Sequence, residues 1–227
     1  VQHGHSLWLA TCPAIGIDTH ADPGLETRIP NATIYRMTSD KFFEGLAIGG
    51  LIPGLSPVFS TDLVFIDGDH LIEQVCRDFE HVERWCCHKD TLVVLDDVLP
   101  YSQGMGSRTP CQGDWSGDAW KTWYLLESRR DLDMRLVDVA PAGLLLVRGF
   151  EKDELNPLPP LVDERLDDTV PEEVLARSWA VSPDEAIEWV KSWLPERTVQ
   201  AGGPPLAPGD VGVPFEVAPG GEADQDR

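Results

Sequence analysis

The chain has 227 residues, 42% of them hydrophobic and 25% charged, which is the composition of a globular domain with length enough to bury a sizeable core. Its 39 acids against 18 Lys/Arg give a formal net charge of -21. That balance excludes a protein that holds nucleic acid or an anionic membrane by general electrostatics, and it suits a neutral small molecule or a cation such as Mg2+.

Short β-rich runs alternate with helical patterns as far as about residue 150, which predicts an α/β fold. Gly4-His5-Ser6 precedes a short helical stretch over Ser6–Ala10. Ala14–Asp18 is a strand ending on an acid, and Ala32–Met37 is a second. Asp62–Asp67 and Thr91–Asp96 are near-continuous apolar runs, as expected for strands buried on both faces of a parallel sheet. Between them Leu71, Val75, Phe79, Val82 and Trp85 recur at helical spacing, so strand, crossover helix and strand predict a parallel pair. A further helix carries Trp120, Trp123, Tyr124 and Leu125. Met134–Val139 and Leu144–Arg148 are separated only by Ala140–Gly143, too short for a crossover, and must form an antiparallel hairpin.

Beyond Phe150 the texture changes, and three regions are expected: a domain over 1–150, a linker with a short helical extension over 151–197, and a disordered acidic Gly/Pro-rich tail over 198–227. Ser182 is placed to cap a helix through Trp193, with Pro183 in its first position and Asp184 and Glu185 in its first turn. Residues 151–227 hold 18 acids and 6 Lys/Arg, so more than half of the net charge lies outside the α/β region. Cys12, Cys76, Cys86, Cys87 and Cys111 form no CxxC pair and no regular framework, which reads as reduced thiols in a cytoplasmic protein. No run approaches the roughly 20 apolar residues of a membrane helix. No signal peptide is read at the N-terminus, and the start at Val1 raises the expectation of a segment upstream. A homo-oligomer is compatible with all of this.

In open α/β sheets ligands bind beyond the carboxyl ends of the strands. Three predicted strands end in acids: Asp18, Asp67-Gly68-Asp69-His70, and Asp96-Asp97. Single acids there often cap the next helix, and Asp69 and Asp40 fit that duty equally well. Asp67 with Asp96-Asp97 is a different case, because clustered carboxylates repel unless a proton or cation intervenes. Mg2+, a hard cation that takes oxygen ligands, is the natural occupant. His70 lies three residues after Asp67 and is a candidate base, with an ordinary pKa near working pH. Asp18 is placed to bind ribose hydroxyls, which fits NAD or an adenosyl group equally. His3, His5, His20, His81 and His88 have no such context.

Phe65-Ile66-Asp67-Gly68-Asp69-His70, Leu95-Asp96-Asp97 and Gly117-Asp118-Ala119-Trp120-Lys121 together resemble the class I S-adenosylmethionine-dependent methyltransferases of the methyltransferase domain 24 group, over about residues 1–150. The resemblance implies a Rossmann-like, mostly parallel sheet ending in an antiparallel hairpin, and S-adenosylmethionine as cofactor. Gly4 and Asp18 would then contact that cofactor, with Ser39 and Asp40 near its adenine. Asp67, Asp96 and Asp97 would hold Mg2+, as in related sugar and catechol O-methyltransferases, and His70 with Asp67 would serve catalysis on a hydroxyl of a small-molecule acceptor. Trp115, Trp120 and Trp123 could wall the acceptor, although core packing suits Trp123. The family's first strand and glycine-rich turn should precede Gly4, so the domain is expected to be N-terminally truncated. A nucleotide-dependent dehydrogenase and a non-catalytic binding module are the rival readings.

Overall fold

A computed structural model of the chain describes residues 3–48, 52, 55, 60–150, 158 and 168–194. A 3-10 turn at Leu7–Leu9 stands where the first helix was expected. It is followed by β1 (Ala14–Ile17), α1 (Leu25–Arg28), β2 (Ala32–Tyr35), α2 (Ser39–Ala47), β3 (Leu63–Ile66), α3 (Ile72–Trp85) and β4 (Leu92–Asp96). Then come α4 (Lys121–Glu127), β5 (Asp133–Val137), β6 (Leu144–Arg148), α5 (Glu172–Leu175) and α6 (Pro183–Trp193). The expected linker, apart from Leu158, and the expected tail over 198–227 lie outside the described residues.

The strands form two sheets where one was expected. β1 pairs in parallel with β2, and a four-stranded sheet runs in the order β3-β4-β6-β5. β3 and β4 are parallel around the α3 crossover, and β6 is antiparallel to both β4 and β5. Among the described residues no strand pairs with both sheets. The β5–β6 hairpin stops pairing at Val137–Leu144, two residues earlier than its apolar run suggests. There the Asp138 N–H turns away to the Val181 carbonyl at 2.9 Å, and Val181 N–H donates to Leu136 at 2.8 Å, adding a parallel bridge on the outer side of β5.

The core explains which apolar runs are covered. Val93 and Leu95 of β4 are buried with Phe79 and Val82 of α3, Phe42 and Leu46 of α2, and Trp120. The opposite face of β4 is covered as well, because Val94 packs with Leu146, Val137 and Ala186 under Trp189 and Val190 of α6. β3 departs from the expectation of two buried faces. Val64 and Ile66 join the main core, but Leu63 and Phe65 are 62% and 41% exposed. They sit in register with Leu92 and Val94, yet α6 does not reach them.

Residues 168–194 are fastened to this body. The Gln103 amide exchanges two hydrogen bonds with the Val170 backbone, at 2.7 and 2.9 Å. Arg177 donates to the carbonyls of Leu99, Val139 and Pro141 and pairs with Asp138. The capping box at the start of α6 forms, with Ser182 Oγ accepting from Glu185 N–H and the Glu185 carboxylate accepting from Ser182 N–H.

Candidate active site

The strand ends bring Asp67, His70 and Asp97 together. One ligand atom from each lies within 4.8 Å of the others, so the three could hold a metal ion. His70 Nε2 is 3.0 Å from Asp97 Oδ2, and its Nδ1 is 2.9 Å from the Trp115 carbonyl. Since a carbonyl only accepts, Nδ1 carries hydrogen and Nε2 faces the carboxylates.

The two adjacent acids of β4 have different fates. Asp96 keeps its strand position, and its Oδ1 accepts the Asp97 N–H at 2.8 Å. Asp97 has a φ of 66°, a left-handed conformation that aspartate tolerates better than most residues. The break in strand direction puts the Asp97 carboxylate against His70, and Asp96, expected as a metal ligand, falls outside the three-residue group. Its acid is nonetheless perturbed: burial, together with the charges of Asp97 and Asp67, pushes it up to about 6 despite the Asp97 N–H. Asp67 is solvent-facing, but crowding by protein and the Asp97 charge raise its carboxyl above the ordinary value, and the Asp18 charge adds to this. His70 moves furthest. The hydrogen bond to Asp97 raises it from 6.5 to about 9, against the opposing effect of burial. The imidazole expected to titrate near neutrality is therefore a cation at pH 7.

The residues expected to contact the cofactor each have partners within the protein. Asp18 follows β1, and its Oδ1 accepts the His20 N–H at 2.6 Å. Burial works against its ionisation, but this hydrogen bond and nearby positive charge together outweigh it, and the carboxyl lies below its ordinary value. Ser39 and Asp40 form the first turn of α2 behind the Thr38 cap, and α3 engages both. Gln74 Nε2 donates to Ser39 Oγ at 3.3 Å, while Arg77 and His81 each lie 3.7 Å from Asp40 Oδ1. Gly4, at φ 77°, is pressed against α1, where a Cβ would come within 2.6 Å of Leu25 and 2.8 Å of Ile29. Close packing is reason enough for its glycine.

The loop from Leu99 to Asp118 closes the His70 side. Trp115 lies with its ring 5.3 Å from the His70 ring and donates through Nε1 to the Ser107 carbonyl at 2.7 Å. Trp120 is fully buried and bonded to the Gly106 carbonyl, so it builds the core and does not line an opening. Trp123 packs partly buried against Trp179. Asp118, quoted in a motif but given no role from sequence, is completely buried and accepts from Ile72 N–H, Arg108 and Lys121. Its position before a tryptophan-bearing helix was the one available signal. The Trp115 carbonyl had none, since a main-chain contact leaves no residue signature.

This α/β layering, with an acid-rich group beyond the strand ends, is where a Rossmann-like enzyme binds its ligands. Residues 9–98 match the family model of a methyltransferase domain. The matched stretch runs from ahead of β1 to just past β4, and so contains Asp18, Ser39, Asp40, Asp67, His70, Asp96 and Asp97. It supports a methyltransferase domain, and methylation with S-adenosylmethionine as the donor is what such a domain implies. No curated protein matches the chain. Among the described residues no helix is long and apolar enough to cross a membrane.

Proposed function

We propose that the protein transfers a methyl group from S-adenosylmethionine to a hydroxyl of a small molecule, such as a sugar, glycolipid or other secondary metabolite, with Mg2+ assistance. The observation that carries this reading is the meeting of Asp67, His70 and Asp97 beyond the strand ends of a stretch that matches a methyltransferase domain. The carboxylates fit a divalent cation: Asp67 and Asp97 converge on one point with His70 beside them, and the raised acid of Asp96 lies next to them. Asp67 and Asp97 would hold the metal, which on binding a hydroxyl makes it more acidic. Asp18, beyond β1, is the residue placed for the cofactor's ribose; the cofactor itself supplies the electrophilic methyl group.

His70 provides proton handling. As it stands, Nε2 holds a proton against Asp97 and accepts nothing. With Asp97 shared with a cation, His70 would be held less firmly as a cation and would release its Nε2 proton to solvent, leaving the Nε2 lone pair free to take the hydroxyl proton of the acceptor. Orientation of that hydroxyl by the Trp115 wall would contribute most of the rate.

A reduced, cytoplasmic setting is also part of the proposal, and Cys12, Cys76, Cys86, Cys87 and Cys111 are all free thiols.

Calorimetric titration with S-adenosylhomocysteine and with NAD separates a methyltransferase from a dehydrogenase. Binding of NAD alone overturns the proposal, and binding of neither favours a non-catalytic module. Transfer of labelled methyl to a panel of sugar and phenolic hydroxyls then tests the metal. Full activity of an Asp96→Ala/Asp97→Ala double variant in EDTA would refute metal assistance.

A further inference from the structure

We infer that Asp118 is a positioning residue for His70, holding the turn that dictates which imidazole nitrogen faces the carboxylates. This rests on the reading of His70 as the proton-handling group. The Asp118 carboxylate has no exposure to solvent, and three separate parts of the chain converge on it. Its Oδ1 accepts the N–H of Ile72, the first residue of α3, at 2.8 Å. Its Oδ2 accepts from Arg108 Nη1 at 2.6 Å and from buried Lys121 Nζ at 3.2 Å. Arg108 reaches on to Glu73 at 2.9 Å, in the same first turn of α3.

His70 sits two residues before Ile72, and Trp115 three residues before Asp118. One buried carboxylate thus clamps the chain just after His70 to the chain just after the carbonyl that His70 contacts. Gly117 completes the clamp. A Cβ at that position would lie 2.2 Å from the His70 carbonyl oxygen, so the two backbones are in direct contact, and the φ of 56° favours glycine there. Ser116 holds the other side of the turn through its N–H and hydroxyl, both donated to Met105 O. With the turn locked, the Trp115 carbonyl accepts a hydrogen bond from Nδ1–H and Nε2 is left toward Asp97.

The test uses 15N-histidine-labelled protein in EDTA, with the exchange of the His70 Nδ1–H proton read by NMR and the fold checked by circular dichroism. The wild type should show a protected Nδ1–H with a dipolar contact to Trp115. In Asp118→Asn, whose amide would turn a donor toward Arg108 or Lys121, that proton should exchange at least tenfold faster. Arg108→Met removes one of the three donors to Asp118 and should accelerate exchange about threefold, whether or not Asp118→Asn folds. Glu188→Gln, an exposed change on α6 away from the clamp, should not alter it. An unprotected proton in the wild type, or unchanged protection in folded Asp118→Asn or in Arg108→Met, overturns the assignment. None of these measurements requires methyl transfer, so a failure of the proposed reaction remains distinguishable from a failure of the clamp.

Discussion

Replacing His70 by glutamine should remove a pH-dependent part of the stability, and its size follows from the geometry. The Asp97 contact at 3.0 Å raises His70 from 6.5 to about 9. At about 1.4 kcal/mol per unit the shift corresponds to about 3 kcal/mol. With the side chain 27% exposed, screening lowers the expected value to about 2 kcal/mol. The sign follows from proton linkage. Below pH 6.5 folded and unfolded chains both hold the proton, and the stabilisation is complete. From 6.5 to about 9 the unfolded chain releases it while the folded chain keeps it, so stability declines with rising pH and the contribution is gone above 9. Urea unfolding of wild type and His70→Gln in EDTA, across this window, measures it, because titrating groups away from the Asp67, Asp96 and Asp97 cluster cancel in the difference. The wild type should lead by about 2 kcal/mol at the acid end and the lead should vanish at the alkaline end. A difference that stays constant with pH, or grows toward the alkaline end, refutes the assignment of His70 as a paired cation.

Asp96 should behave in the opposite sense. Its acid is raised to about 6, so its ionised form destabilises the fold above that pH and protonation relieves the cost below it. Asp96→Asn, which still accepts the Asp97 N–H, should therefore gain up to about 2 kcal/mol at pH 7.5 and little at pH 4, read by the same urea curves. Phe79, with no exposed surface at the centre of the main core, should cost about 3–5 kcal/mol as alanine, measured by chemical denaturation. Ser182→Ala removes the hydroxyl of the α6 capping box and should cost about 1 kcal/mol, with a matching drop in thermal midpoint.

Much of the fold was legible because its causes are local. The apolar runs before Asp67 and Asp96, the helical spacing from Leu71 to Trp85, the short turn before Leu144 and the Ser182-Pro183 start of α6 each act within a few residues. The same locality marked the strand-end acids, and the prediction that Asp67 and Asp97 meet follows from strand direction alone. Other features had no local cause. The two residues of Asp96-Asp97 are chemically identical, and only the left-handed turn at Asp97 decides which one faces His70. The burial of β3 depended on how far α6 extends, which no pattern within Leu63–Ile66 records.

The sequence by itself determined an α/β chain with acids and one histidine beyond its strand ends, since periodicity and strand direction need no distant partner. Only the tertiary structure decided that His70 is held between the Trp115 carbonyl and the Asp97 carboxylate. It alone showed that Asp118, 46 residues from Ile72, keeps those pieces together. Such contacts come from packing of segments far apart in the chain. Their energies depend on burial and exact approach, and residue type specifies neither.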